Sequence, residues 1–163
     1  MGYKQPTIYI LIGPPAAGKS TWRNEVFEDQ FDAAVISSDD LIDQFAEEND
    51  LTYTEAFLKV DHKKITEELN WTFDEAIQDG RDIIVDRTNM SAKSRRSWLG
   101  RVPRTYKKAA VVFNISRSKL DERLAARCSA TGKCIPSHVV DDMIAKYEEP
   151  TEQEFDHIVR IRY

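Results

Sequence analysis

The sequence contains no apolar run approaching the ~20 residues of a membrane-spanning helix. Its first residues lack the pattern of a secretory signal, so the expected location is cytoplasmic, with no membrane partner. Cysteine is scarce: Cys128 and Cys134 are too few and wrongly spaced for a zinc site or a disulfide framework, and are expected as reduced thiols. His62, His138 and His157 show no ligand-like spacing and receive no chemistry. Repeats, low-complexity tracts and linkers are absent, so residues 1–163 are expected to form one domain. Excess positive charge is lacking too. A net charge of −5 argues against a protein that coats nucleic acid non-specifically, although local basic clusters still permit a nucleic-acid substrate. A hydrophobic content of 41% and a charged content of 31% describe a soluble globular chain with a core of its own.

What is present begins near the N-terminus. Ile8 to Ile12 form a short run rich in β-branched residues, as a buried strand requires. The next residues, Gly13-Pro14-Pro15-Ala16-Ala17-Gly18-Lys19-Ser20-Thr21, fit the spacing G-x-x-x-x-G-K-[ST] and lead into a helical pattern over Thr21 to Glu28. Glycines let such a loop curl until its N–H groups face a phosphate chain, and the helix adds the positive end of its dipole. Lys19 is placed to reach the β- and γ-phosphates of ATP, and the Ser20 hydroxyl to hold Mg²⁺. Pro14 and Pro15 supply no N–H, so the early loop has fewer donors than glycine-rich versions.

Further strands are expected at Ala33–Ser37, Asp82–Asp86, Ala109–Ile115 and His157–Ile161. Between them lie helical patterns. Ser37 or Ser38 caps one with Asp39 and Asp40 in its first turn; Thr52 and Glu55 form a capping box for a long one, which breaks near His62 and stops at Gly80. Later helices are expected over Ser91–Leu99, from Ser118 through Arg123 and Arg127, and over Ser137–Tyr147, with Ser129–Ile135 as loop. The alternation predicts an α/β fold: a doubly wound, mainly parallel five-stranded sheet with helices on both faces and a helical lid. Ligands of such sheets sit beyond the carboxyl ends of the strands, where Gly13, Asp39 and Asp86 should converge.

Phosphoryl transfer needs a phosphate cradle with metal, a proton acceptor, and positive charge for the transferred group. Asp39 is the candidate general base, against the plainer reading that Asp39 and Asp40 only favour a helix N-terminus. Asp86 is a candidate Mg²⁺ or water holder, against ordinary strand-end polarity. Arg123 and Arg127 share one helix face and suit a lid, or a solvated surface. Lys93, Arg95, Arg96, Arg101, Arg104, Lys107 and Lys108, with Trp98 and Tyr106 between them, form the densest basic region. That region suits a single strand with stackable bases, with Trp98 as a core residue the alternative.

Gly13 to Trp22, then Ser38-Asp39-Asp40, then Val85-Asp86-Arg87-Thr88-Asn89-Met90 with Arg95-Arg96-Ser97-Trp98, resemble the kinase domain of phage-type polynucleotide 5′-hydroxyl kinases. The resemblance continues through Lys133-Cys134-Ile135-Pro136 to Glu149-Pro150-Thr151. It implies a P-loop kinase fold, ATP and Mg²⁺ at Lys19 and Ser20, Asp39 as general base, Thr88 and Asn89 on the acceptor side, and DNA or RNA as acceptor. Two positions depart from the family. Ile42 stands where an arginine grips the acceptor phosphate, and Ala130 where the lid arginine lies, leaving that role to Arg127 or Arg123. A kinase of hydroxymethylpyrimidine bases (5-hydroxymethyluridine) in phage DNA, a small-molecule kinase, and a nucleotide-dependent binding module are the alternatives.

Overall fold

The computed structural model describes residues 4–27 and 32–163. Five strands, β1 (Thr7–Ile12), β2 (Ala34–Ile36), β3 (Ile83–Val85), β4 (Lys107–Asn114) and β5 (His157–Arg162), form one sheet in the order β2-β3-β1-β4-β5. Every neighbouring pair is parallel, so the sheet is wholly rather than mainly parallel. Parallel strands need crossovers, and helices supply them: α1 (Lys19–Phe27), α2 (Ser38–Glu48), α3 (Tyr53–Lys59), α4 (His62–Gln78), α5 (Ala92–Leu99), α6 (Arg117–Thr131) and α7 (Ser137–Ala145). The expected end of the first helix at Glu28 lies outside the described residues. Among the described residues no helix is long and apolar enough to cross a membrane.

Alternation along β1 divides the core. Ile8, Ile10 and Ile12 face a layer with Leu69, Phe73 and Ala76 of α4 and Trp98 and Leu99 of α5. Leu11 and Tyr9 face the other layer, where Trp22, Phe27 and Phe113 meet edge to face at 5.6 and 6.0 Å. A third cluster, Ile42, Ala46, Ala56 and Val60, seats α2 against α3. Ile42 is therefore a core residue of α2.

The helix ends follow local chemistry. Ser37 caps α2 by accepting from the Asp40 N–H, and Thr52 with Glu55 closes the expected capping box on α3. The long pattern breaks at Val60 and Asp61, where Asp61 caps α4. Two expectations at α6 are corrected. Its cap is Ser116 rather than Ser118, and it continues to Thr131, through part of the expected loop, until Gly132 ends it at φ 73°. That left-handed residue turns the chain back, bringing Cys134 to 4.5 Å from Cys128 between Cα atoms. The two are joined in a disulfide, so the reading of reduced thiols is also corrected.

The basic region does not form one surface. Arg95 is wholly buried, forking onto Glu154 at 3.0 and 3.3 Å and donating to the Asn89 and Met90 carbonyls at 3.1 and 3.2 Å. Trp98 and Tyr106 are core residues, and Arg101 lies over the Phe73 ring at 4.4 Å while bonding Asn70 and Asp74. Lys107 and Lys108 open β4 beside Thr7 and Ile8, at the amino edge of the sheet and opposite the phosphate loop. Of the two predicted substrate contacts here, Arg95 is excluded by burial, and Arg96 is exposed on α5.

Candidate active site

The loop after β1 is held from two sides. The Gly13 N–H donates to the Thr88 carbonyl at 3.0 Å, and the Ala17 N–H to Pro14 at 3.3 Å. Ala16 and Gly18 both take positive φ, 65° and 102°. A side chain at Gly18 would be strained by its positive φ, and a Cβ there, 2.8 Å from the Tyr163 hydroxyl, would displace that ring. Lys19 is buried and folds back, donating to the Gly13 and Pro14 carbonyls at 2.8 and 2.7 Å. Burial lowers its ammonium to about 8; Asp86 and Asp39 pull it up, and Arg127 adds to the lowering. These charges act on one amine because they share one cavity, about 1050 Å³ in volume, walled by the phosphate loop, α2, α3, the loop after β3 and the α6–α7 connection.

Three of the expected groups, Lys19, Ser20 and Asp86, lie together at the donor end. Ser20 Oγ donates to Asp86 Oδ2 at 2.9 Å, and Arg23 pairs with that same oxygen at 2.8 Å and with Asp40 at 3.1 Å. Burial pushes the Asp86 carboxyl up, opposed by Ser20, Arg23 and Lys19. Asp40 thus anchors Arg23. The Ser20 and Asp86 oxygens suit Mg²⁺, which takes few protein oxygens and completes its shell with phosphate and water. Among the described residues no group of three or more His, Cys, Asp or Glu side chains is placed to hold a metal ion.

Asp39, in the first turn of α2, opens into the same cavity. Its Oδ1 accepts from the Tyr53 hydroxyl at 2.6 Å, and its Oδ2 lies 3.6 Å from Arg127. Burial and this hydrogen bond push the Tyr53 hydroxyl well above its ordinary range. Arg123, one turn earlier on α6, lies over the Tyr163 ring at 4.5 Å. Thr88 and Arg87 line the wall. Asn89 does not: it is buried at φ 49°, and its amide donates to the carbonyls of Leu11, Arg87 and Val85. Its expected acceptor contact is therefore replaced by a structural role.

Sequence reasoning missed Arg23, Tyr53, Lys133 and Tyr163. Lys133, between the two cysteines, reaches Asp43 at 2.7 Å and stands 4.6 Å above the Tyr53 ring. The available signals were local: Tyr53 follows the Thr52 cap, and Lys133 lies in the Lys-x-x-Pro segment.

A phosphate loop at the mouth of a parallel sheet, a metal-suited Ser–Asp pair and a carboxylate facing an arginine define a nucleotide-dependent phosphotransferase fold. The AAA domain family model matches residues 8–150, and the chain belongs to that family. No curated protein matches it. The fold is similar to a chain in the Pnkp1/Rnl/Hen1 RNA repair complex (TM-score 0.70, 21% identity), over 89% of this chain and 45% of that one. This chain thus spans less than half the length of that relative. Also similar are a fungal RNA kinase (TM-score 0.60, 17% identity, 98% and 75% covered) and a gluconokinase from Sinorhizobium meliloti 1021 (TM-score 0.55, 15% identity, 98% and 84% covered). The family match and these similarities together show a P-loop kinase fold.

Proposed function

We propose that this chain is an ATP-dependent kinase that transfers the γ-phosphate to a nucleic-acid hydroxyl, the 5′-hydroxyl of a polynucleotide. The observation that carries it is Asp39: a carboxylate held by Tyr53 and faced by Arg127, in the cavity that contains Lys19. The acceptor oxygen attacks the γ-phosphorus as Asp39 takes its proton, and the bond to the β–γ bridging oxygen breaks, releasing ADP. Lys19 leaves its two carbonyls for the phosphates, and Arg127 meets the charge on the transferred group. Ser20 and Asp86 would hold Mg²⁺, whose charge offsets that of the triphosphate. Support for a polynucleotide comes from the motif order running from Gly13 to Thr151 and from the RNA kinase among the similar folds.

The burial of Ile42 favours a second reading. Without an arginine there, the phosphate of a 5′-hydroxyl acceptor lacks the grip that the resemblance implies, whereas a base hydroxymethyl group needs none. The test is labelled ATP offered with a 5′-hydroxyl oligonucleotide, an end-blocked duplex containing hydroxymethylated pyrimidine, nucleosides and gluconate. Label on the oligonucleotide is the expected result. Label on the blocked duplex alone selects the base kinase, and label on a nucleoside or gluconate alone overturns both nucleic-acid readings.

A further inference from the structure

With Arg95, Trp98 and Tyr106 in the core, the acceptor needs another footprint, and α3 offers one. This helix buries Ala56 and Val60 against α2 and turns Tyr53 and Phe57, one helical turn apart, toward the cavity. Phe57 remains 46% exposed, too much for a core residue of its size. Its ring nevertheless has two ring neighbours. Tyr53 lies 6.1 Å from it, tilted by 33°, and His62 braces it edge to face at 4.6 Å while donating from Nε2 to the Phe57 carbonyl at 2.8 Å. The row leads inward: the same Tyr53 bonds Asp39 through its hydroxyl and lies beneath Lys133.

We propose that Phe57, braced by Tyr53 and His62, is the stacking platform for the base of the acceptor's 5′-terminal nucleotide. The inference rests on the polynucleotide reading and adds to it the residue that receives the first base. A planar base gains from an aromatic face whatever its sequence, as single-strand binding requires. The order of contacts along the row sets one nucleoside upon it: its 5′-hydroxyl at Asp39, its sugar across Tyr53, its base on Phe57. Charge fits too. The cavity lining carries six lysines and arginines against four aspartates, a positive excess that complements a phosphate backbone rather than a hydrocarbon, although Lys133 and Arg127 also pair with Asp43 and Asp39.

The experiment compares two 5′-hydroxyl oligonucleotides with ATP and the full chain, one ordinary and one abasic at its 5′-terminal nucleotide. Stacking of one base predicts an acceptor KM roughly 5- to 150-fold higher for the abasic end, with ATP KM unchanged. Phe57→Ala should raise the KM of the ordinary end by a similar factor and abolish the difference between ends, and Phe57→Trp should keep it. Phe57 is exposed, so an unchanged melting curve for Phe57→Ala shows that folding is not the cause. Equal use of both ends by the wild type, or discrimination surviving in Phe57→Ala, overturns the platform while the kinase reading stands. Failure to label either oligonucleotide overturns both.

Discussion

The two ends of the cavity are built by different means. At the donor end, Lys19 and Asp86 are buried, and the phosphate loop is tied to the loop after β3 through backbone groups, above the buried strand β3 and the largely buried β1. At the acceptor end, Asp39, Phe57 and Thr54 are exposed and come together through side chains from α2, α3 and the α6–α7 connection. On the proposed reading, backbone shapes the site for a group common to all kinases, the triphosphate. Side chains specify the site for the group that distinguishes one kinase from another.

If that division holds, the residues joining the two ends should carry the largest effects. Arg127→Ala is expected to slow phosphoryl transfer by ~10³–10⁵, the range for arginines that meet transition-state charge. Arg127→Lys should recover only part, since lysine loses the planar fork. Arg123→Ala should be milder, because Arg123 lies over Tyr163 instead of facing Asp39. Single-turnover rates measure all three, and a wild-type rate for Arg127→Ala would leave the acceptor end without its cation.

Next comes the base. Asp39→Asn should lower turnover by ~10²–10⁴ with nucleotide affinity unchanged. Asp40→Asn, which only loosens Arg23, should do less. A larger loss for Asp40→Asn would reverse the two roles.

Arg95→Ala tests stability, not chemistry. It strands Glu154 and two loop carbonyls, and removing one partner of a buried pair typically costs ~3–5 kcal/mol. Urea unfolding should show that loss, whereas exposed Arg96→Ala should stay within roughly 0.5 kcal/mol.

The smallest effect is a pH dependence of stability. Lys19 titrates at about 8 in the folded chain against an ordinary 10.5, so between those values the unfolded chain holds more protons and stability rises with pH. Tyr53 acts oppositely: its hydroxyl is raised above the ordinary 10.0, so its contribution is lost as pH climbs beyond that value. The difference in urea midpoint between wild type and Lys19→Met should therefore shift in favour of the wild type from about pH 8 to 10. A flat difference would place Lys19 in water.

The same contrast explains what the sequence made legible. The phosphate loop, the capping box at Thr52 and the carboxylates at Asp39 and Asp86 depend on neighbours a few residues away, and the structure keeps them where the pattern placed them. Tyr53 and Lys133 escaped because their partners lie 14 and 90 residues away. Arg95 was misread because a guanidinium is usually solvated, and only the fold brings Glu154 to it. The end of α6 was misplaced because the helix runs on through Ser129 to Thr131 until Gly132 reverses it, and that reversal also sets the cysteine pair.

The loop after β3 carries a consequence for binding. Asn89 fastens it to β1 from within, Arg95 holds its carbonyls from below, and Glu148 donates its N–H to Met90 from the side. Ordering a residue costs conformational entropy of roughly 1–2 kcal/mol. For this wall, which includes Asp86 and Thr88, that loss falls on folding and not on ligand capture. On the proposed reading the nucleotide would meet a wall already tied down by these bonds, and less of its interaction energy would be consumed in ordering the protein.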